Sequence, residues 1–456
     1  MAMDTWFMQG GWAFLDASEI DPLLDKMEEA EIRHLAFGGP LPLAPEPRHY
    51  EGPLKGCPPP PATRARAAKI RSFLEAAWSR NLRIYSYGTN PHMCGDSGFY
   101  QRLPNKHLLQ VDQSLVGVES YWGACANAPE FLQFYLGRIR DVHLHFPRVE
   151  GFLNDGPEFG YEIAGLGYMD GNLDLFGCFG PCCASKAREL GYDFGDLKQG
   201  ALRLMNFLRA LDEGALARMF EHPGAPPDAL AAAAGEDRIV AWLRFKEDSI
   251  VSYVQQLCRG VKEMNSALEM GIGSRLPAFV PLTGYDLGRL AQHADFLLPK
   301  IYLWMGGVDG LYGTVYRWAR TLRDWNPHLR EELLFRFTYR LFGFELPQVQ
   351  SLADMLHHIE PGFADSTART YLGAPFPAEF FTRVVADQVR LMIAQVGAAA
   401  QVRPWTHVDH GGRVLTPDEL DRTLSAAAAA GLRTYLNYCP LESGNWEVAI
   451  KHGKED

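Results

Sequence analysis

Glu150-Gly-Phe-Leu-Asn-Asp-Gly-Pro-Glu-Phe-Gly-Tyr-Glu162 runs from a short apolar strand into a turn rich in carboxylates. Phe152 and Leu153 supply the strand. Asp155, Glu158 and Glu162 follow among glycines, a proline and aromatic rings. Carboxylates beside rings at the end of a strand suit acid/base chemistry. The same acids would serve equally well in a solvated loop or at a helix N-terminus. The place of this strand in the chain decides between the two.

Upstream, 6–14 reads as a first strand ending in glycines. A helix follows behind Asp21-Pro22, with Leu24, Met27 and Ala30 at helical spacing. A second strand covers 33–39, and 40–62 is a proline-rich loop. Residues 63–79 carry the stripe Ala67, Ile70, Phe73, Leu74, Ala77 and Trp78, an amphipathic helix. The third strand is 82–90. A long loop to about 128 bears His92, Cys94, Asp96 and Trp122, and a helix over 129–145 leads into the opening stretch.

Downstream, 163–240 is helical in composition, with a loop at Pro223–Pro227, and an apolar-faced helix spans about 238–268. A fifth strand is expected at 276–284, a short helix at 286–293 and a sixth strand at 295–304. Residues 305–400 form an oversized connection with helices near 309–325 and 378–396. The seventh strand reads as 402–410. The helix over 417–430 has Thr416 as its cap and Pro417 in its first position, and the eighth strand is 432–438. Eight alternations predict a parallel sheet closed into a (β/α)₈ barrel, one domain over 1–456 with insertions at about 91–128, 163–240 and 305–400. An open doubly wound sheet would carry a glycine-rich phosphate turn after its first strand, and Gly10-Gly11 does not supply one.

The bulk numbers narrow the function. A net charge of −11 gives no basic footprint for nucleic acid. No stretch approaches the roughly 20 apolar residues that span a bilayer, and the N-terminus has no signal-peptide pattern, so the expectation is a cytoplasmic protein unless a leader has been removed. Eight cysteines in 456 residues make no disulfide framework.

In a barrel of this type the strand C-termini build the site. That rule collects Gln9, Trp12, Tyr87, Asn90, His92, Asp155, Glu158, Tyr285, Lys300, Tyr302, Trp304, His407, Asp409, His410, Asn437 and Tyr438. Rings, amides and carboxylates together suit a sugar, whose C–H faces stack and whose hydroxyls hydrogen-bond. Glycoside cleavage needs two carboxyl groups. Strand four offers Asp155, Glu158 and, in a supporting, substrate-binding position, Glu162; strand seven, across the mouth, offers Asp409. Trp12, Tyr87, Asn90, His92, Lys300, Tyr302, Trp304, His407 and Tyr438 are the expected substrate contacts.

Other chemistries have weaker footing. His407 and Asp409 share a strand face and could meet a metal ion with His92, which would give a metal-dependent lyase, isomerase or hydrolase; the first strand lacks the His-x-His such barrels carry. Lys300 could form a Schiff base. Cys178, Cys182 and Cys183 offer three zinc ligands, or else free thiols. No cofactor is expected. The loops at 91–128 and 305–400 suit either a closed pocket or a homo-oligomer interface.

The chain resembles the (β/α)₈ glycoside hydrolases, in particular uncharacterised barrels related to clan A. Gly151-Phe-Leu-Asn-Asp155 is similar to the Asn-Glu that ends strand four in that clan. The Cys178–Cys183 cluster falls where these barrels often have a C-x-C-x-x-C-like segment, and Ala294-Asp-Phe-Leu-Leu-Pro-Lys-Ile-Tyr302 looks like their sixth strand. The resemblance implies a glycosidase whose strand-four carboxyl is the acid. Position 155 is Asp where the clan has Glu, and Asp409 stands where it has its nucleophilic Glu, so inversion and a catalytically inactive sugar-binding barrel both stay open.

Overall fold

The computed structural model describes residues 3–9, 17–37, 45–52, 55, 64–88, 111, 125–163, 174–303, 310–355, 376–407, 409–410, 413–438 and 443–454. Strands β1 (Asp4–Gln9), β2 (His34–Phe37), β3 (Arg83–Gly88) and β4 (Gly151–Asp155) are followed by β5 (Glu269–Ser274), β6 (Phe296–Ile301) and β7 (Trp405–His407). A two-strand ribbon, β8 (Asp409–His410) with β9 (Arg413–Val414), precedes β10 (Thr434–Tyr438). Strands β1 to β7 and β10 pair in parallel and close into a barrel. The expected (β/α)₈ fold with helical insertions is the one observed.

Alternation along each strand sorts side chains between lumen and helix layer. On β6, Phe296 and Leu298 pack in the lumen while Leu297 and Ile301 join the outer core. Trp6 stacks on His34 with centroids 4.3 Å apart, and Tyr85 donates to Glu269, filling the end where the strands begin. The opposite end is the mouth.

Most helices fall where periodicity places them. Pro129–His145, Arg64–Ser79, Leu311–Trp325 and Pro417–Ala429 match closely, the last with a full capping box between Thr416 and Glu419. The described part of the 163–240 insertion carries the helices Pro181–Glu189, Phe194–Arg209, Glu213–Glu221 and Pro226–Ala234. The first helix, Ala17–Glu29, begins a turn before Pro22.

Three expectations are corrected. The fifth strand is Glu269–Ser274; 276–284 instead contains the helical turn Val280–Thr283. Pro277 and Pro281 lack the N–H that a strand paired on both sides must donate. The real strand was disguised by Gly271 and Gly273, which composition counts against a strand. Those glycines make room: a Cβ on Gly271 would lie 2.3 Å from Phe296 and 2.9 Å from Leu153. Gly271→Ala is therefore expected to cost about 1–3 kcal/mol through overpacking, read as a lower unfolding midpoint. The seventh strand stops at His407, and Asp409 and His410 leave the barrel for the ribbon; Pro404 confines the start to an isolated bridge at Val402. Asn437, expected at the mouth, lies on the outer side of β10, since its neighbour Leu436 is in the lumen.

Helix Arg238–Met264 braces the strand-four turn. Lys246, fully buried, donates to the carbonyls of Gly160 at 3.2 Å, Leu175 at 2.9 Å and Leu282 at 3.1 Å. On the outer side of the same helix, burial first, and then the Asp286 carboxylate, pushes Glu247 up to about 7. The folded protein thus holds that proton more tightly than the unfolded chain. Stability from this group is full below the ordinary value of 4.5 and is lost as pH rises to about 7. Glu247→Gln is expected to raise the melting temperature at pH 8 by an amount worth about 1–2 kcal/mol, and to change it little at pH 4.

Candidate active site

Asp155 is the last residue of β4 and faces the mouth. Its carboxylate lies 2.8 Å from the Lys300 ammonium on β6 and accepts a hydrogen bond from Tyr87 on β3 at 3.0 Å. A Cβ on Gly273 would come within 3.1 Å of this carboxylate, so β5 leaves it space. Tyr87 meets Trp405 of β7 edge to face at 5.1 Å, and Lys300 sits 5.9 Å above the Trp405 ring. Tyr302 continues the lumen face of β6.

Charge at this point is set by competition between burial and neighbours. Burial raises the Asp155 pKa, but Lys300 and then Arg275 outweigh it, and the carboxyl is held below its ordinary 3.8. For Lys300, burial and the nearby Arg275 lower the pKa from 10.5, against the pull of Asp155 and Glu158. Asp155 is therefore an ionised carboxylate at neutral pH.

Glu158 is committed to Arg275. The guanidinium Nε donates to one carboxylate oxygen at 2.5 Å and Nη2 donates to the other; the side chains are 2% and 6% exposed. Glu162 accepts from Arg317 Nε at 3.0 Å and from Nη2 at 2.5 Å, and Arg317 also donates to Thr314 at 3.1 Å. Tyr285 is buried, and its phenol is pushed well above its ordinary value by burial and then by Glu158.

The structure thus brings Tyr87, Asp155, Lys300 and Trp405 together, with Glu158 and Tyr285 joined to them through Arg275. Arg275 and Trp405 were not among the sequence candidates. Placing strand five at 276–284 put Arg275 before a strand, at the closed end; with β5 at Glu269–Ser274 it immediately follows the strand, at the mouth. Trp12, Asn90, His92 and Trp304 lie outside the described residues. His407, Asp409 and Tyr438 are described in backbone only, as members of β7, β8 and β10.

The cysteine cluster differs from the expected set. Cys125, Cys178 and Cys183 place their sulfurs within 4.8 Å of one another, all buried, with Cys125 and Cys183 3.5 Å apart. Cys182 turns away: successive residues at the start of helix Pro181–Glu189 project about 100° apart and cannot share a point. Neighbouring thiols and burial push the Cys125 thiol well above its ordinary value. Zinc–sulfur bonds of about 2.3 Å in a tetrahedral site set ligand sulfurs roughly 3.8 Å apart, so the trio fits three of the four ligands of a structural zinc.

No protein-family model and no curated protein matches the chain. Solved structures do. The glycoside hydrolase domain of PgaB (BpsB) from Bordetella bronchiseptica aligns over 100% of both chains with a TM-score of 0.53 at 9% identity. The β-galactosidase from the Antarctic haloarchaeon Halorubrum lacusprofundi aligns with a TM-score of 0.53 at 12% identity, covering 99% of this chain and 57% of that one. The β-galactosidase from the psychrophilic Marinomonas ef1 gives 0.51 at 12% identity, with 99% and 59% coverage. The chain thus spans somewhat under three fifths of either β-galactosidase. The expected likeness to glycoside hydrolase barrels holds for the fold. Among the described residues no helix is long and apolar enough to cross a membrane.

Proposed function

We propose that the protein is a glycoside hydrolase acting through Asp155 at the barrel mouth. The observation that carries this reading is an ionised, nearly buried carboxylate at the end of β4, held by Lys300 and Tyr87 beside the Trp405 ring, in a barrel whose fold is shared with glycoside hydrolases. The charge state favours roles opposite to those first expected. Asp155 acts as base or nucleophile, and Asp409, two residues beyond the end of β7 on the chain, is the proton donor. Glu158 and Arg275 set the field around Asp155, and Glu162 with Arg317 fixes the turn. Assay of the purified protein on a panel of nitrophenyl glycosides tests the reading: at least one is cleaved, and Asp409→Asn slows a poor leaving group more than a good one. Absence of turnover on every member counts against it.

A second reading has its own support. Both described strand-four acids nearest the lumen are in ion pairs, Asp155 with Lys300 and Glu158 with Arg275, an arrangement that also suits a barrel which binds a saccharide without cleaving it. Saccharide-induced stabilisation with no turnover would select it.

A further inference from the structure

Three cysteines from separate parts of the chain converge on one buried point. Cys125 precedes helix Pro129–His145, Cys178 follows the strand-four turn, and Cys183 lies in the first turn of helix Pro181–Glu189. Their sulfurs all lie within 4.8 Å of one another, and those of Cys125 and Cys183 are 3.5 Å apart. The group around Asp155 includes none of them.

Convergence alone would suit three small side chains packed in a core, but the hydrogen bonds ask for more. Gly180, the cap of helix Pro181–Glu189, donates its backbone N–H to Cys178 Sγ at 3.4 Å. The Asn127 amide donates to Cys183 Sγ at 3.4 Å and to Ser249 Oγ at 3.3 Å. A thiol sulfur is a weak acceptor, and an ionised acceptor is a strong one. Two N–H groups aimed at two of the three sulfurs therefore suit thiolates, and Cys183 also sits at the positive end of its helix. Outer hydrogen bonds of this kind orient metal ligands. Thiolates packed so closely repel one another unless a cation stands between them. Such ligands select zinc, copper(I) or iron over magnesium or calcium, and a spacing under 4.8 Å fits around a single ion. We propose that Cys125, Cys178 and Cys183 bind one zinc ion in a structural site. The ion ties the segment entering helix Pro129–His145 to the segment after the strand-four turn. These segments flank β4, so the site closes a loop around the strand that carries Asp155, and its binding energy adds to the stability of the fold.

Elemental analysis of the whole protein, purified without chelator, is expected to give about one zinc per chain. Cys182→Ser should keep that content, and Cys125→Ala, Cys178→Ala and Cys183→Ala should each lose most of it. Ligand variants can fail to fold, so a second measurement uses wild type alone. After a chelator has removed the metal, cobalt(II) should give the visible spectrum of a tetrahedral ion with an intense thiolate-to-cobalt charge-transfer band. The melting temperature should fall on chelation and return with zinc. Asn127→Leu should weaken zinc about 10–100-fold in competition with a chromophoric chelator, the usual loss for an outer hydrogen bond. The proposal is overturned if wild type neither carries nor takes up zinc, or if copper or iron stands in its place. It is equally overturned if Cys182→Ser loses the metal as the other variants do, or if the native protein contains a Cys125–Cys183 disulfide. Glycoside turnover enters none of these readings, so the site stands or falls apart from the function proposed for the mouth.

Discussion

Asp155→Asn is expected to reduce turnover on the best glycoside by about 10²–10⁴-fold, the range for losing a positioned acid/base group. The change is nearly isosteric, and the amide oxygen can still accept from Tyr87, so the fold should persist. What is lost is the negative charge beside Lys300 and the lone pairs that take a proton or attack the sugar. The loss should fall on kcat and kcat/KM together, because the carboxylate acts in the transition state more than in binding. Glycoside panels under matched conditions, with melting curves to certify folding, check this. Wild-type rates in the variant would place the chemistry elsewhere.

The largest effect on stability is expected from Arg275→Met. The guanidinium is 2% exposed and holds a Glu158 carboxylate that is 6% exposed. Removing one partner of a buried pair leaves an uncompensated charge, at about 3–5 kcal/mol. Arg275 also helps hold Asp155 ionised, so part of the activity should go with it. Adding Glu158→Gln to Arg275→Met should recover a large share of the stability, since the stranded charge is then gone, and little of the activity. If the double variant is as unstable as the single one, the pair's charge is not the cause, and the lost packing of the arginine side chain is.

Much of this arrangement was legible in the sequence. Eight alternations of strand and helix gave the barrel, because period-2 and period-3.6 patterns are distinct over the lengths involved. Asp155 was legible for a simple reason: a strand-end carboxylate has few places to go in a barrel other than the mouth. Its protonation state was not legible, because it depends on Lys300 and Arg275, which lie more than a hundred residues away in the chain. Arg275 itself was hidden by one misplaced strand. Gly271 and Gly273 look like strand breakers, and they are strand residues here because Phe296 and Leu153 fill the space a side chain would need at Gly271, and Asn154 and Asp155 crowd the space at Gly273. The cysteine set failed similarly. Cys182 and Cys183 are adjacent in sequence, but helical geometry separates them and Cys125 arrives from another loop. Tertiary partners of this kind carry no local pattern.

The pairing of Asp155 with Lys300 also fixes a pH dependence. A carboxyl whose folded value is depressed contributes stability above its unfolded value and loses it as pH falls through the folded one. The same shift should appear in catalysis as an acidic limb of kcat/KM lying below the ordinary carboxylate value of 3.8. Lys300→Met removes the largest charge that holds Asp155 down and leaves burial to raise it. The decisive measurement is therefore the pH profile of kcat/KM for wild type and Lys300→Met on the same aryl glycoside. The account predicts that the acidic limb moves upward in the variant, as expected for a carboxylate losing an ion-pair partner. Coincident acidic limbs in the two proteins would contradict it, and would mean that Asp155 is not the carboxylate on which the reaction turns.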